Sequence, residues 1–383
     1  MDTLLFTAAE TFHAARRLAS LPTGHRATGV HGHGFGVKVH ADLTARRDAR
    51  AGTETRALGD ALRQASAALD YQDLNLLIAE PGDLGIATWL GERLAESLRP
   101  GRLGALGLSS TAWQGVTSIA GMRPRGWRRY RFEAAHRLPN VPEGHPCGRM
   151  HGHGFEVLLH ADLAPDDVTA LSCYDRLDVA WAPLAGQLHH GCLNALPGLE
   201  NPTSELLCLW LWQRLAPELA GLRQVVVRET RTAGCCYDGQ GFRIWKDLLF
   251  ESALRFAELP EADPWHGLHG HSYGLRLMLG APLDEVLGWT VDFGDVKALF
   301  KPVYARLDHH DLSALPGLEH PGVGELLRWI AGQVAGVLPQ LDGLELNPTP
   351  GRGAVLTLSM PDSARLESNP SASLDLGLAL PSL

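Results

Sequence analysis

The stretch FEAAHRLPNVPEGHPCGRMHGHGFEVLLHADL, residues 132–163, decides how this chain is read. It recurs as FHAARRLASLPTGHRATGVHGHGFGVKVHADL at 12–43 and as FESALRFAELPEADPWHGLHGHSYGLRLMLGAPL at 250–283. In each copy a His-Gly-His pair (31–33, 151–153, 269–271) starts 19 residues after a phenylalanine (Phe12, Phe132, Phe250) and is followed by a small residue and an aromatic. The pairs lie 120 and 118 residues apart, so the 383-residue chain is a tandem of three units. Histidines two apart on a strand project from the same face, and neutral imidazole is the commonest metal-binding side chain.

Working outward, the flanks of each pair alternate apolar and polar residues, with Pro and Gly breaking the middle. That pattern predicts a long hairpin with a broad loop. Helical spacing follows: one helix over roughly 55–69, then Ile86, Leu90, Leu94 and Leu98 four residues apart on one apolar face. SELLCLWLWQRLA and GELLRWIAGQV stand at the matching places of the other copies, and strand character returns at 223–230 and 343–348. The unit is therefore β-β-α-α-β-β, an α+β arrangement of antiparallel sheet with two helices on one face. Three such sheets joined edge to edge form a pseudo-trimeric antiparallel β-barrel of twelve strands with the helices outside, which removes every open edge. The expected units are 1–125, 126–243 and 244–360, with a loose tail over 361–383.

Composition narrows the classes of function. With 45% apolar residues and no continuous apolar run near ~20 residues, the chain reads as a soluble globular protein without a membrane span. The N-terminus alternates and lacks a basic start, so it reads as a strand rather than a signal peptide. A net charge of −9 argues against general nucleic-acid binding. The one basic cluster, RPRGWRRYRF at 123–132, lies at a seam between units and reads as a solvated strand edge rather than a phosphate site. Six scattered cysteines make no disulfide framework, which fits a reducing cytoplasm.

The second unit carries the chemistry. His136 lies 15 residues before His151, on the partner strand, where it can complete a three-histidine site with His151 and His153. Three imidazoles with an open fourth position is the arrangement of catalytic zinc. Cys147, four residues before His151, sits in the adjoining loop as a candidate base.

These residues, F-E-A-A-H-R-L followed by Cys147-x3-His151-Gly-His153-Gly-Phe, resemble the 6-pyruvoyltetrahydropterin synthase superfamily. The Cys-x3-His-Gly-His spacing is similar to that of its bacterial 6-carboxytetrahydropterin synthase branch. The resemblance implies the tunnelling fold, a Zn2+ ion on His136, His151 and His153, and Cys147 as proton acceptor. It also implies an Asp-His pair from an "LDH..LN" motif, a pterin-gripping glutamate in a "V.ET" strand, and active sites between neighbouring units.

The implied residues are unevenly retained. The glutamate falls on Glu229, with Ser110 and Asn347 taken as its counterparts. The Asp-His motif reads Asp70-Tyr71, His189-His190 and Asp308-His309, so only the third unit keeps both members. At the third ligand position the outer units have Arg16 and Leu254, and at the cysteine position Ala27 and Trp265. A guanidinium repels a dication and an alkyl group cannot ligate one, so a single zinc per chain is expected. His13 faces the other side of its strand and reads as structural. His266 could replace the lost ligand, but the demands of metal geometry favour leaving it out. The other cysteines (173, 192, 208, 235 and 236) read as small core residues.

The resemblance implies a zinc-dependent lyase that converts 7,8-dihydroneopterin triphosphate to 6-carboxytetrahydropterin, acetaldehyde and triphosphate on the queuosine route. Cys147, Glu229 and a shared Asp308-His309 would be its catalytic residues, or His190 would serve alone with Asp308-His309 a leftover polar pair, in a ring that can stack as a homodimer. The alternatives are a 6-pyruvoyltetrahydropterin-forming or dihydroneopterin-cleaving relative, and a non-catalytic pterin-binding protein.

Overall fold

Twelve long strands close on themselves in the computed structural model, which describes residues 2–45, 52–167, 169–318 and 320–359. The expected loose tail over 361–383 lies outside the described residues. The first unit supplies β1 (Thr3–Arg16), β2 (His31–Asp42), α1 (Glu54–Ala67), α2 (Asp83–Ser97), β3 (Arg102–Thr111) and β4 (Gln114–Ile119). The second supplies β5 (Arg125–His136), β6 (His151–Asp162), α3 (Leu171–Leu188), α4 (Ser204–Leu215), β7 (Leu222–Thr230) and β8 (Ala233–Tyr237). The third supplies β9 (Phe242–Leu254), β10 (His269–Gly280), α5 (Phe293–Leu307), α6 (Val323–Val334), β11 (Leu341–Thr349) and β12 (Arg352–Thr357). Each long strand pairs antiparallel with the next in sequence, and β12 pairs with β1 through Thr3 opposite Thr357, closing the barrel.

The recurring phenylalanine fixes the register. Phe12, Phe132 and Phe250 lie directly opposite Phe35, Phe155 and Tyr273. Their rings stack at 5.0, 4.9 and 4.8 Å between centroids. Such cross-strand aromatic pairs stabilise one register over its neighbours, and a one-residue slip would turn every side chain to the wrong face. With that register set, Arg16, His136 and Leu254 stand opposite His31, His151 and His269, as the 15-residue spacing implied.

Strand alternation gives the barrel two unlike faces. The outer face meets the six helices and holds the main core, with Val37, Val39, Val157, Leu159, Leu275 and Leu277 buried against helix residues such as Leu58, Leu90, Leu211 and Ile330. The inner face is plugged at mid-height by Trp127, Leu158, Val226, Cys236, Trp245, Met278 and Val355. Gly234 is required there, because a Cβ would lie 2.4 Å from the Trp245 ring and 2.5 Å from a backbone carbonyl. All six cysteines are free; Cys173, Cys208, Cys235 and Cys236 are buried, while Cys192 is only half-buried.

One expectation needs correction. The basic cluster at 123–132 is not a solvated edge. It forms β5, flanked by β4 and β6 in a barrel that has no edge, and Arg125 and Arg129 are buried.

Candidate metal and pterin site

His136 ends β5, and His151 and His153 begin β6, all three projecting to the helix-facing side. Ring centroids of His136 lie 4.5 Å from His151 and 5.2 Å from His153. His136 Nδ1 is 3.0 Å from the Pro202 carbonyl and His151 Nδ1 is 2.7 Å from the Arg149 carbonyl. A carbonyl only accepts, so both Nδ1 atoms carry the proton and both Nε2 lone pairs point inward. His136 Nε2 is buried without a hydrogen-bond partner, the condition of a ligand aimed at a metal. Burial depresses the His136 pKa, more than the nearby Glu229 carboxylate raises it, so the ring is neutral and able to ligate.

Glu229 closes the group from β7. Its Oε1 is 3.3 Å from His153 Nε2 and 3.5 Å from His136 Nε2, and Ser204 Oγ donates to its Oε2 at 2.6 Å. Burial opposes the charge of this carboxylate. Hydrogen bonds from His153 and Ser204 outweigh that, holding its pKa below the ordinary value. Ligand atoms of His136, His151, His153 and Glu229 all lie within 4.8 Å of one another, and among the described residues no other such group exists. The donor set fits a zinc-type ion.

Cys147 is half-buried in the loop beside these ligands, with Leu138 N–H bonded to its carbonyl at 2.8 Å. Burial raises its thiol pKa, and the carboxylates of Glu229 and Asp292 raise it further. Its N–H donates to His145 Nδ1 at 3.2 Å, and His145 Nε2 faces Asp292 Oδ2 at 3.5 Å. Asp292 belongs to the third unit, where it caps α5 by accepting from Gly294 and Asp295 N–H. More of the third unit lies against this site. Thr203 Oγ1 donates to the Gly288 carbonyl, and Thr290 N–H donates to Glu205 Oε1 at 2.8 Å. Glu205 is fully buried, and burial pushes its pKa up to about 7. Sequence reasoning passed over Thr203, Glu205, His145 and Asp292. The acid inside the apolar run SELLCLWLW was the one available signal.

Asp308 and His309 stand elsewhere. Asp308 accepts from Glu251 N–H at 2.9 Å and lies 3.0 Å from His309 Nδ1. His309 lines a groove of about 560 Å³ with Glu251, Ser252 and His271 of the same unit. Asp308 follows the end of α5, whereas Asp292, near Cys147, precedes its start; the 15-residue helix holds them roughly 22 Å apart. Within one chain the pair is therefore not brought to Cys147. The motif also has a backbone role in every unit: Asp70, His189 and Asp308 accept the N–H of His13, Glu133 and Glu251. The next residues, Tyr71, His190 and His309, take left-handed φ of 54°, 58° and 60°. His190, unlike His309, lines a groove with His153, of about 470 Å³.

Among the described residues the outer units hold no ligand set. Strand register places Pro348, not Asn347, at the position of Glu229, because Asn347 pairs with Gly274 as Arg228 pairs with Glu156. Leu254 is buried at the third-ligand position, and His266, whose Nδ1 is 2.8 Å from the Leu259 carbonyl, belongs to no ligand group among the described residues. His13 is exposed, stacked on Tyr71 at 5.9 Å.

With fold and site in place, two segments, 125–240 and 243–358, match the family model for 6-pyruvoyl tetrahydropterin synthase. The chain belongs to that family. A 6-carboxy-5,6,7,8-tetrahydropterin synthase from Synechocystis sp. is 35% identical over 118 residues, covering 29% of this chain and 90% of the relative. A dihydroneopterin monophosphate aldolase from Pyrococcus furiosus is 23% identical over 92 residues, covering 24% of this chain and 77% of the relative. Among solved structures, the Caenorhabditis elegans 6-pyruvoyl tetrahydropterin synthase covers 30% of this chain and 94% of its own at 20% identity, with a TM-score of 0.27. Among the described residues no helix is long and apolar enough to cross a membrane.

Proposed function

We propose that the chain is a zinc-dependent 6-carboxytetrahydropterin synthase with one active site, in the second unit. It would convert 7,8-dihydroneopterin triphosphate and water to 6-carboxytetrahydropterin, acetaldehyde and triphosphate, toward queuosine. The observation that carries this reading is the meeting of the His136, His151 and His153 rings, the Glu229 carboxylate and the Cys147 loop in that unit, a group without a second instance among the described residues. Zinc held by His136, His151 and His153 would supply a positive field that acidifies a nearby substrate C–H.

The remaining work falls to the chain's own residues. Glu229, held ionised, presents paired acceptor oxygens to the donor-rich edge of a pterin. Cys147 takes the proton released from carbon. Its raised pKa makes it a weak acid that keeps that proton, but also means that it needs a nearby positive charge to be a thiolate first. His145 fixes the Cys147 backbone, and Asp292 on the third unit fixes His145. His190 is the histidine of this unit placed to exchange a proton across the groove that it shares with His153.

The test is to incubate the purified protein with 7,8-dihydroneopterin triphosphate and assay acetaldehyde and the pterin product together. Acetaldehyde formed with 6-carboxytetrahydropterin supports the proposal. Triphosphate release without acetaldehyde would instead assign a 6-pyruvoyl-forming activity, and pterin binding without turnover would assign a carrier.

A further inference from the structure

The basic cluster of β5, which the proposed chemistry does not use, has its own place in the barrel. Alternation sends His136, His153 and Glu229 to the helix side, and sends Arg129 and Arg131 of β5, Glu156 of β6 and Arg228 of β7 to the tunnel side. These four line a cavity of about 830 Å³ at the tunnel mouth, with Arg231 on its rim. The plug of Trp127 and Trp245 lies beneath: the Arg129 and Arg228 guanidinium carbons are 5.9 and 5.6 Å from those ring centroids.

Guanidinium outnumbers carboxylate in this cavity, with Arg129, Arg131, Arg228 and Arg231 lining it against Glu133 and Glu156. Arg129, Arg131 and Arg228 all converge on one carboxylate, Glu156, at 3.6, 3.1 and 3.7 Å. Arg228 Nε is buried and makes no hydrogen bond. Burial and the neighbouring Arg276 depress the Arg228 pKa to about 10, a measure of how poorly its charge is compensated. The arrangement is peculiar to the second unit. By strand register Arg129 corresponds to Ala9 and Asp247, Arg228 to Ser109 and Asn347, and Glu156 to Gly36 and Gly274. In a chain of net charge −9 such a concentration of guanidinium is not a by-product of composition. Guanidinium forks match phosphate oxygens two at a time, and a concave wall of one sign concentrates the opposite ion.

We propose that Arg129, Arg131 and Arg228 form a polyphosphate-binding site in the tunnel mouth, on the face of the sheet opposite the metal ligands. The inference rests on this cavity and not on the metal or the reaction assigned above. Inorganic triphosphate and a nucleoside triphosphate carry the same recognised group.

Isothermal titration of the full chain with inorganic triphosphate, at low salt, is the test. One site per chain is expected, retained in His136→Ala, because that ligand lies across the sheet. Arg131→Gln, a half-exposed position that tolerates exchange, should weaken binding about tenfold, as expected for one charge-assisted contact. Glu156→Gln removes the competing carboxylate and should tighten binding. A parallel titration with ATP separates the sources: equal affinity assigns the phosphate chain alone, and tighter ATP binding adds a base contact. Absence of binding, loss of binding in His136→Ala, or affinity unmoved by both Arg131→Gln and Glu156→Gln overturns the proposal.

Discussion

The first and second units place the same backbone around two different solutions. In the second, the Pro202 carbonyl holds His136 and Ser204 on α4 donates to Glu229 on β7 at 2.6 Å. In the first, the Pro81 carbonyl accepts from Arg16 at 3.0 Å, and Ser110 on β3 donates to Asp83 on α2, again at 2.6 Å. Serine and acid have exchanged places between helix and strand, and the hydrogen bond survives. Arg16 then pairs with Asp83 at 2.8 Å, and Tyr174 from the second unit donates to the same carboxylate at 2.8 Å. Two histidines remain at 31 and 33, but a fixed cation occupies the place of a ligand. The last residue of the first strand marks the difference: an imidazole at 136 within a candidate ligand set, and at 16 a guanidinium paired with Asp83. The third unit, with Leu254 there, has neither.

Breaking the metal centre should have the largest effect. His136→Ala should remove zinc, measured by elemental analysis against one ion per chain, and lower turnover by more than the ~10–100-fold typical of a lost outer-shell partner. Breaking the ion pair should act on stability instead. Asp83→Ala leaves Arg16 buried and uncompensated, which costs about 3–5 kcal/mol, read as a lowered denaturation midpoint with zinc content unchanged. Loss of zinc in that variant would show the two units to be coupled.

A smaller effect distinguishes roles for Glu229. Glu229→Gln should keep zinc and weaken pterin capture by roughly 10–150-fold, the worth of a charge-assisted hydrogen bond of about 1.5–3 kcal/mol. Zinc loss would make Glu229 a fourth ligand instead. Smaller again is the pH dependence from the tunnel side. Burial pushes His40 and His160 down to about 3, helped by Lys38 and Arg125 respectively. Below the ordinary value of 6.5 the unfolded chain binds protons there that the folded one refuses, so stability falls as pH drops from 6.5 toward 3. The slope is at most ~1.4 kcal/mol per pH unit for each histidine, and urea midpoints for His160→Gln should show a shallower acid limb. Last, His31→Ala should leave zinc content intact and shift stability by only about 0.5 kcal/mol, because the ring is half-exposed, bonded to the Gly29 carbonyl and stacked on His33.

Much of this was legible along the chain. The 19-residue step from phenylalanine to His-Gly-His encodes the register, since it places Phe132 opposite Phe155 and His136 opposite His151. Contacts that join separate segments were not legible. Asp292, Thr290 and Tyr174 reach sites in neighbouring units from positions that carry no motif. Pro348 displaced Asn347 because only the strand pairing fixes a one-residue offset.

By itself the sequence determined the threefold repeat, the β-β-α-α-β-β unit and the three histidines of the candidate ligand set, because strand and helix periodicities and ligand spacing are local properties of the chain. The tertiary structure alone decided which face each arginine of β5 turns toward, and it set Asp308-His309 apart from Cys147. Closing the barrel gives the strands an inside and an outside, and a rigid helix fixes which of its ends meets the neighbouring unit.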